Sequence, residues 1–361
     1  MSIPADKIDA VSVVVCNYNG EAHLDECLGA IQALRGPIDE IVLVDNQSTD
    51  GSLELVRRNF PNVRIVEAGS NGGPAPARNL GMREARNRWV FAVDNDAVLE
   101  ADVLEKLVAA TEQHPGTCIA QPRSVFHSEP SRVHYDGGAF HYVGLIALRN
   151  FYVPLAQAVG EGTLAVDCSV SVALLVDRDA LLAAGGYDER YFILFEDLDL
   201  SYRMRLEGRT ILSVEDAICH HKGGTPGISY REGPSYPRSR VFYHSRNRWL
   251  FIAKCYGLRT LIVALPGMLV YELVWFLFAL LGGNVLGWIE GKLAFLRYAK
   301  ETLRLRREVQ SRRKLRDRDL LEPGPLTTTP DLATKPLRRL VLGWLNGALS
   351  LWWKLARGLA T

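Results

Sequence analysis

Closely paired cysteines are missing from this chain of 361 residues. The N-terminal stretch MSIPADKIDA has no basic region followed by a long apolar one, so no secretory signal is expected. The cysteines are Cys16, Cys27, Cys118, Cys168, Cys219 and Cys255. No two of them stand at the close spacing of structural zinc sites. We therefore expect reduced, mostly buried thiols in a cytosolic compartment.

Net charge is also nearly absent. The 42 lysines and arginines almost balance the 41 acidic residues, which leaves a formal net charge of +1. This balance argues against a general nucleic-acid binder, so no nucleic-acid partner is expected. With 48% hydrophobic residues, the chain is long enough for one large domain with an appendage, or for two domains.

Four apolar runs rich in β-branched residues alternate with helical patterns near the N-terminus. The runs begin at residues 11, 40, 63 and 89 and read VSVVVCN, EIVLVD, VRIVEA and WVFAVD. Between the first two, Leu24, Leu28 and Ile31 fall at helical spacing. Strands that are apolar throughout, rather than alternating, are typical of a parallel sheet covered on both faces. We therefore predict an α/β, Rossmann-like fold with a mainly parallel sheet and helices on both faces.

Three clusters of polar residues directly follow predicted strands. In such sheets, ligands bind outside the carboxyl ends of the strands. All three clusters should therefore lie at one edge of the sheet, which indicates a binding site there. The clusters are Asn17-Tyr18-Asn19, Asp45-Asn46 and Asp94-Asn95-Asp96.

Asp94 and Asp96 are the chemically most informative pair. Two carboxylates two positions apart, where a strand breaks into a loop, can both reach one hard cation such as Mg²⁺ or Mn²⁺. A diphosphate is the natural partner of that cation, because the metal offsets charge on a departing phosphate. The alternative is a loop acid that caps the next helix.

Two further segments carry polar groups that could bind a ligand, and each of them also has a purely structural interpretation. The Asp45 carboxylate could accept hydrogen bonds from a base and a ribose, or it could close an Asx turn. The glycine-rich stretch NGGPAPARNLG could bring backbone N–H groups to a phosphate, with Arg78 as a charge partner. Its alternative is a tight turn before a helix.

The stretch FEDLDLSYRMRLEG places Glu196 and Asp197 at the start of a predicted helix. Acids there can cap the helix, and Asp199 can pair with Arg203 one turn later. The preceding aromatic run would partly bury Glu196 and Asp197, so that one could act as a general base toward a hydroxyl. Later, in AICHHKGGT, a histidine at a strand end could bind a metal or a phosphate, or be an exposed loop residue.

Seven segments occur in the order typical of family 2 glycosyltransferases with the GT-A fold, and together they resemble that family. They cover roughly residues 11–255, and the resemblance is nearest to bacterial rhamnosyltransferase-type enzymes of polysaccharide assembly. The segments are VSVVVCNYNG, IVLVDNQSTDGS, NGGPAPARNLG, VFAVDNDA, GGYDERYFILFEDLDLSYRMRLEG, CHHKGG and YHSRNRWLFIAK.

The resemblance implies an inverting, metal-dependent transfer from a nucleoside-diphosphate sugar to a hydroxyl of a glycan or lipid-linked glycan. Asp94, Asp96 and His221 would bind Mg²⁺ or Mn²⁺. The adjacent His220 leaves open which of the two histidines is the ligand. The residues implied for nucleotide-sugar binding are Asn17, Tyr18, Asn19, Asp45, Asn46, Arg78, Asp94 and Asn95.

The same resemblance implies roles for the later acids. Asp197 would be the general base that deprotonates the acceptor hydroxyl. Glu196 would orient the acceptor, and Arg246 and Asn247 would belong to the acceptor side. Where relatives often carry a tryptophan and a Gly-Ala turn, this chain has Cys168, which leaves the identity of the acceptor open.

The composition shifts after residue 255. The stretch 260–289 is nearly uncharged and long enough to cross a bilayer, but Pro266, Glu272 and the Gly282-Gly283 pair argue against a plain span. A hairpin in one leaflet or a helix pair lying on it would agree with the basic run that follows. The alternative is a soluble helical subdomain or a dimer interface.

We therefore predict association with the cytoplasmic face of the cell membrane, and a glycan or polyprenyl-linked acceptor. A homo-oligomer is left open. The predicted segments are a GT-A domain over 1–255, an apolar then basic helical region over 256–320, a linker over 321–336 and an amphipathic helix over 337–361.

Two other classes of function would each leave a recognisable mark in the sequence. A catalytically silent nucleotide-sugar-binding scaffold would be favoured by loss of the acid pair or of Asp197, and neither is lost. A sugar nucleotidyltransferase would carry a phosphate loop rich in glycine and lysine after the first strand, and CNYNGEAHL contains no lysine.

Overall fold

The computed structural model describes residues 7–223, 236–330 and 335–361. The chain divides into two compact units that cut across the predicted segments. Unit 1 is built from Met1–Gly137, Arg149–Phe192 and Arg209–Gly224; unit 2 is built from Gly138–Leu148, Ile193–Gly208 and Thr225–Thr361. Residues 224–235 of the predicted GT-A domain and 331–334 of the predicted linker lie outside the described residues.

Strands occur mostly in unit 1. In chain order they are β1 (Val11–Asn17), β2 (Ile38–Asp45), β3 (Arg64–Glu67), β4 (Trp89–Asp94), β5 (Ala97–Leu99), β6 (Thr117–Phe126), β7 (Glu129–Tyr135), β8 (Gly138–His141), β9 (Leu145–Leu148), β10 (Thr163–Val166), β11 (Ala173–Asp177), β12 (Thr210–His221) and β13 (Leu321–Glu322).

Helices alternate with the strands of unit 1 and dominate unit 2. In chain order they are α1 (Glu21–Gln32), α2 (Ser52–Asn59), α3 (Pro74–Glu84), α4 (Val103–Gln113), α5 (Arg178–Ala183), α6 (Glu196–Leu206), α7 (Arg238–Cys255), α8 (Leu258–Leu281), α9 (Val285–Arg297), α10 (Ala299–Ser311), α11 (Asp317–Leu320) and α12 (Pro336–Ala356).

The sheet of unit 1 has the strand order β10-β12-β6-β11-β4-β1-β2-β3, with β5 paired to β12 and β7 to β6. The predicted parallel arrangement holds for β3, β2, β1 and β4. Beyond β4 the sheet is mixed, because β11 runs antiparallel to both β4 and β6. The α/β prediction is confirmed, and its parallel part is confined to the first four strands and the β6–β12 pair.

Helices cover both faces of the parallel strands. On one face, Val13 and Val15 of β1 join a buried core with Leu28 of α1. On the other face, α3 approaches so closely that a Cβ on Gly81 would lie 2.3 Å from Val14 Cγ1. Glycine is therefore the residue that lets this helix pack on the sheet, and the two covered faces agree with strands that are apolar throughout.

Unit 2 is a helical assembly with the small sheet β13-β8-β9. Within it, α7 packs against α9 and α10, and α12 packs against α8. The apolar stretch breaks at Gly282–Asn284, between α8 and α9, where the sequence analysis placed its glycine break. Among the described residues, α8 is the one helix long and apolar enough to cross a membrane by length and composition.

Glu272, the single acid in the apolar stretch, has a structural explanation. Its carboxylate accepts hydrogen bonds from Arg248 Nη1 at 2.7 Å and from the indole N–H groups of Trp249 and Trp288 at 2.9 and 2.8 Å. Lys292 Nζ lies 2.6 Å from the same carboxylate. Because a buried charge is tolerated only when it is paired and hydrogen-bonded, these partners fasten α8 to α7 and α9.

The cysteines agree with the expectation from their spacing. All six are free thiols, and five of them are buried, while Cys16 is partly buried. They therefore act as small apolar residues of the packed interior.

Candidate active site

The predicted polar clusters meet at the carboxyl ends of the parallel strands in unit 1. Asn17 lies in register with Asp45 across β1 and β2, and Cys16 lies in register with Asp94 across β1 and β4. Asn95 Nδ2 donates to Asn17 Oδ1 at 2.7 Å, and Asn17 Nδ2 donates to Asp45 Oδ1 at 2.8 Å. The ends of three strands are thus joined by one chain of hydrogen bonds.

Asp45 is buried and also closes a turn. The N–H of Ser48 donates to Asp45 Oδ2 at 2.9 Å, and the Ser48 hydroxyl donates to Oδ1 at 2.6 Å. This is the Asx-type turn that the sequence analysis weighed against a contact with the base. The turn fixes the orientation of the carboxylate at the end of β2, and base binding stays a prediction.

The neighbouring loop residues take different positions. The side chain of Tyr18 is exposed, whereas Asn19 adopts a left-handed backbone with φ +47° and accepts the N–H of Thr49 at 2.8 Å. Asn46 Nδ2 donates to the carbonyl oxygen of Gly73 at 2.9 Å. Gly73 has φ +88°, a conformation that favours glycine, and immediately precedes α3. The glycine-rich turn is thus tied to the end of β2.

Arg78 of α3 pairs with Asp94. Its Nη2 lies 2.7 Å from Asp94 Oδ1 and donates to the carbonyl oxygen of Ser171 at 2.8 Å. Burial raises the pKa of Asp94 to about 6; the positive charge of Arg78 opposes this shift and the negative charge of Asp96 adds to it. Arg78 is therefore a cation held beside the acid pair, as the buried strand end requires.

Asp96 lies beside the late histidine. His221 Nε2 is 3.2 Å from Asp96 Oδ2, and the pairing of β5 with β12 sets Ala97 opposite His221. Burial opposes a charge on His221, but the hydrogen bond that His221 donates to Asp96 and the charges of both aspartates outweigh burial and raise the pKa of His221. The adjacent His220 lies instead 3.4 Å from Glu100. Strand alternation therefore selects His221 as the histidine at the acid pair.

His134 is a member of this cluster that sequence reasoning missed. Its Nδ1 lies 3.0 Å from His221 Nδ1, so a hydrogen bond between the two rings needs a proton on one nitrogen and a lone pair on the other. Burial lowers the pKa of His134 to about 2. The ring stacks on Tyr135 and Phe126 with centroid distances of 3.8 and 4.1 Å. A single histidine within a strand gives no sequence signal of such a contact.

The cluster suits a cation that takes its remaining ligands from substrate and water. Within the described ranges, no group of three or more histidine, cysteine, aspartate or glutamate side chains is placed so that it could hold a metal ion by itself. Mg²⁺ and Mn²⁺ commonly use one or two protein ligands together with substrate phosphates and water, so the Asp96–His221 pair with Asp94 beside it fits such an ion.

Glu196 and Asp197 lie in unit 2, at the first turn of α6. Glu196 is buried and Asp197 is partly buried. The predicted Asp199–Arg203 pair is present, with 2.8 Å between Arg203 Nε and Asp199 Oδ2. Lys254 Nζ lies 2.7 Å from the other oxygen of Asp199, which ties α6 to α7.

Arg246 and Asn247 lie in α7 of the same unit, and both are buried. Asn247 Nδ2 donates to the carbonyl oxygens of Ile193 and Leu194, just before α6. The acceptor-side residues thus form one group in unit 2, and the predicted donor-side residues form another in unit 1.

Comparison with known proteins agrees with the resemblance predicted from the sequence. Residues 12–168 match the family model of Glycosyl transferase family 2. An N-acetylglucosaminyl-diphospho-decaprenol L-rhamnosyltransferase of Mycobacterium tuberculosis is 28% identical over 270 residues, which cover 68% of this chain and 84% of the relative. The amylovoran biosynthesis glycosyltransferase AmsE of Erwinia amylovora is 23% identical over 235 residues, which cover 64% of this chain and 82% of that relative.

A solved structure supports the fold. The crystal structure of GalNAc-T7 with UDP, GalNAc and Mn²⁺ superposes with a TM-score of 0.52 at 17% identity, covering 68% of this chain and 50% of that one. The fold and the family match together indicate a glycosyltransferase with the GT-A fold. The match over residues 12–168 agrees with the resemblance predicted from the sequence.

Proposed function

We propose that the chain transfers a sugar, with inversion, from a nucleoside-diphosphate sugar to a hydroxyl of a glycan or polyprenyl-linked glycolipid. The observation that carries the donor half is the meeting of Asp94, Asp96 and His221 beside the Asn17–Asp45 hydrogen bond at one edge of the sheet. Such an edge is where α/β sheets bind nucleotides.

The donor would bind along the strand ends. Asp45, oriented by Ser48, would accept hydrogen bonds from the base, and the polar loop residues beside it would hold the ribose. Mg²⁺ or Mn²⁺ held by Asp96 and His221 would offset the charge of the departing diphosphate. Arg78, fixed against Asp94, keeps the acid pair from repelling an anionic donor.

The acceptor half rests on α6. Asp197 would take the proton from the acceptor hydroxyl as its oxygen bonds to the anomeric carbon, and the bond from that carbon to the diphosphate oxygen would break in the same displacement. One displacement inverts the anomeric centre. Glu196 would orient the acceptor. The mycobacterial relative is named for a decaprenol-linked acceptor, which supports a polyprenyl-linked one here.

We place this activity at the cytoplasmic face of the cell membrane. Exposed aliphatic side chains repeat along α8 at Ile262, Leu265, Leu269 and Leu273, and α12 exposes Leu340 and Trp344. Arginines and lysines accompany them along α12. An apolar face flanked by basic residues is what an anionic lipid surface binds, and it would bring the enzyme to a lipid-linked acceptor.

The donor site is tested first by thermal shift with UDP-, dTDP- and GDP-linked sugars, with and without Mg²⁺ or Mn²⁺. We expect stabilisation by one nucleotide class that requires metal and is lost in Asp96→Ala. Asp216→Asn, an exposed acid on β12, is the matched control and should keep the shift. No shift with any donor for a folded wild-type protein would contradict the donor site and favour a partner-dependent scaffold.

Transfer is tested next with that donor and extracted lipid acceptors. Asp197→Asn should lower kcat by about 10²-fold or more while leaving donor binding intact, because a general base contributes about that much. Glu207→Gln, at the other end of α6, should keep wild-type turnover. Wild-type turnover in Asp197→Asn would show that another residue is the general base. Release of pyrophosphate from a nucleoside triphosphate would indicate a nucleotidyltransferase instead.

A further inference from the structure

The turn that leads into α6 has an unfavourable backbone. Leu194 and Phe195 have φ values of +67° and +78°, and Phe192 has +63°. None of the three is glycine, and side chains with a Cβ rarely adopt this left-handed region. Strain of this kind persists only where surrounding contacts hold it in place. The next residues along the chain are Glu196 and Asp197, so the strained turn sets where α6 begins.

Asn247 of α7 supplies contacts of that kind within unit 2. Its Nδ2 donates to the carbonyl oxygen of Ile193 at 2.8 Å and to that of Leu194 at 2.8 Å. Both amide hydrogens are therefore used on two consecutive peptide units of the turn. The side chain is fully buried, at 0% exposure, so its hydrogen bonds compete little with water.

Arg246 fixes which way the Asn247 amide faces. Arg246 Nε donates to Asn247 Oδ1 at 2.8 Å, which leaves Nδ2 for the turn. The Arg246 guanidinium is itself held among aromatic rings, at 5.3 Å from the centroid of Phe242, 5.2 Å from Tyr243 and 5.9 Å from Tyr298. The aromatic groups, the guanidinium, the amide and the turn thus form one chain of contacts.

We propose that Asn247 is a positioning residue: it acts on Glu196 and Asp197 through the turn at 193–195, and it does not bind the acceptor itself. This assignment rests on the proposed role of Asp197 as the base. Asn247 would then hold the turn in place and would not bind the acceptor, because both of its amide hydrogens are already donated to backbone carbonyls. Arg246 takes part by orienting the amide.

The test compares Asn247→Ala and Asn247→Asp with the wild type. The variant Asn247→Asp keeps an oxygen that can accept from Arg246 but has lost both amide N–H donors. It should therefore lower turnover as much as Asn247→Ala does. We expect kcat to fall by about 10- to 100-fold, since misplacing a catalytic group by about 1 Å costs about that much. The KM values for donor and acceptor should stay within about twofold. Amide exchange of the segment 193–199 should become about tenfold faster or more.

A matched control separates positioning from loss of stability. Ile252 lies in the same helix, and its side chain packs closely against Gly144. Ile252→Ala should lower the unfolding midpoint without changing exchange at 193–199 selectively or lowering kcat tenfold. A rise in acceptor KM at unchanged kcat and unchanged exchange in the Asn247 variants would overturn the proposal and assign Asn247 to acceptor binding.

The exchange measurement also keeps this proposal distinct from the proposed function. If Asp197→Asn retains full turnover, the assignment of the base fails, while faster exchange at 193–199 in Asn247→Asp would still show that Asn247 holds the turn. If Asp197→Asn is inactive and the Asn247 variants exchange and turn over like the wild type, the positioning role alone is wrong.

Discussion

At the scale of single residues, strand alternation and burial explain why adjacent side chains serve different purposes. His220 and His221 are neighbours in sequence, yet one lies near Glu100 and the other beside Asp96. The position of the acid pair could be predicted, because residues that directly follow a buried parallel strand lie at the carboxyl edge of the sheet. The contact of His134 with His221 could not, because it joins residues 87 positions apart.

A buried histidine in unit 2 allows a prediction about pH. His141 of β8 accepts the N–H of Val143 at Nδ1, and burial is the main cause that lowers its pKa to about 3. The unfolded chain, with a histidine pKa near 6.5, binds the proton first as the pH falls. The contribution of His141 to stability is therefore complete above about pH 6.5 and falls by about 1.4 kcal/mol per pH unit below that, down to about pH 3.

The variant His141→Asn isolates this contribution, because its side-chain oxygen can accept the same N–H without titrating. Denaturant midpoints at pH 7.5, 6 and 5 should show a shallower loss of stability on acidification for the variant than for the wild type. Parallel curves for the two proteins would contradict the assigned pKa.

At the scale of elements, the hydrophobic period predicted β1 to β4 and the helices that alternate with them, and packing decided their arrangement. The strands β1 to β4 follow from continuous apolar runs. The insertion of β11 between β4 and β6, antiparallel to both, depends on pairing between distant segments that no local pattern records. The mixed half of the sheet was for that reason not predicted.

Two glycines in helices of unit 1 should respond in opposite ways to alanine. At Gly81 of α3 the added Cβ would lie 2.3 Å from Val14 Cγ1, so overpacking should destabilise the protein by about 1–3 kcal/mol. At Gly29 of α1 nothing lies within 4 Å, and alanine should stabilise by about 0.5–1 kcal/mol through helix propensity. Unfolding free energies of both variants check this, and equal effects of one sign would contradict the packing of α3.

At the scale of the whole molecule, unit 2 carries an unusual amount of exposed apolar surface on its helices. Leu258, Leu281, Leu337 and Leu355 are among side chains exposed by 69% or more. Contiguous exposed apolar patches on soluble proteins mark interaction surfaces. The sequence indicated such a region from composition, but the fold decided which face of each helix stays exposed.

Vesicle flotation tests the proposed lipid contact. We expect the full chain to float with vesicles containing anionic phospholipid, less with zwitterionic ones, and less at high salt. Leu340→Glu and Trp344→Glu should reduce flotation at least several-fold because they place charge on the exposed face of α12. Val159→Glu, an exposed apolar position in unit 1, should not.

The contrary outcome is also measurable in this experiment. A chain that never floats, runs as a dimer by light scattering, and becomes monomeric in Leu340→Glu would show that the exposed face binds a second copy. That result would remove the membrane from the proposed function without affecting the donor site.

The sequence by itself determined the α/β class, the strand ends that carry Asn17, Asp45 and Asp94, and the apolar character of the C-terminal region, because these follow from local hydrophobic period and composition. Only the tertiary structure decided that Glu272 is paired, that His134 lies against His221, and that Asn247 holds the turn before Asp197. These contacts join segments 24 to 87 positions apart in the chain, and chain folding alone brings them within hydrogen-bond distance.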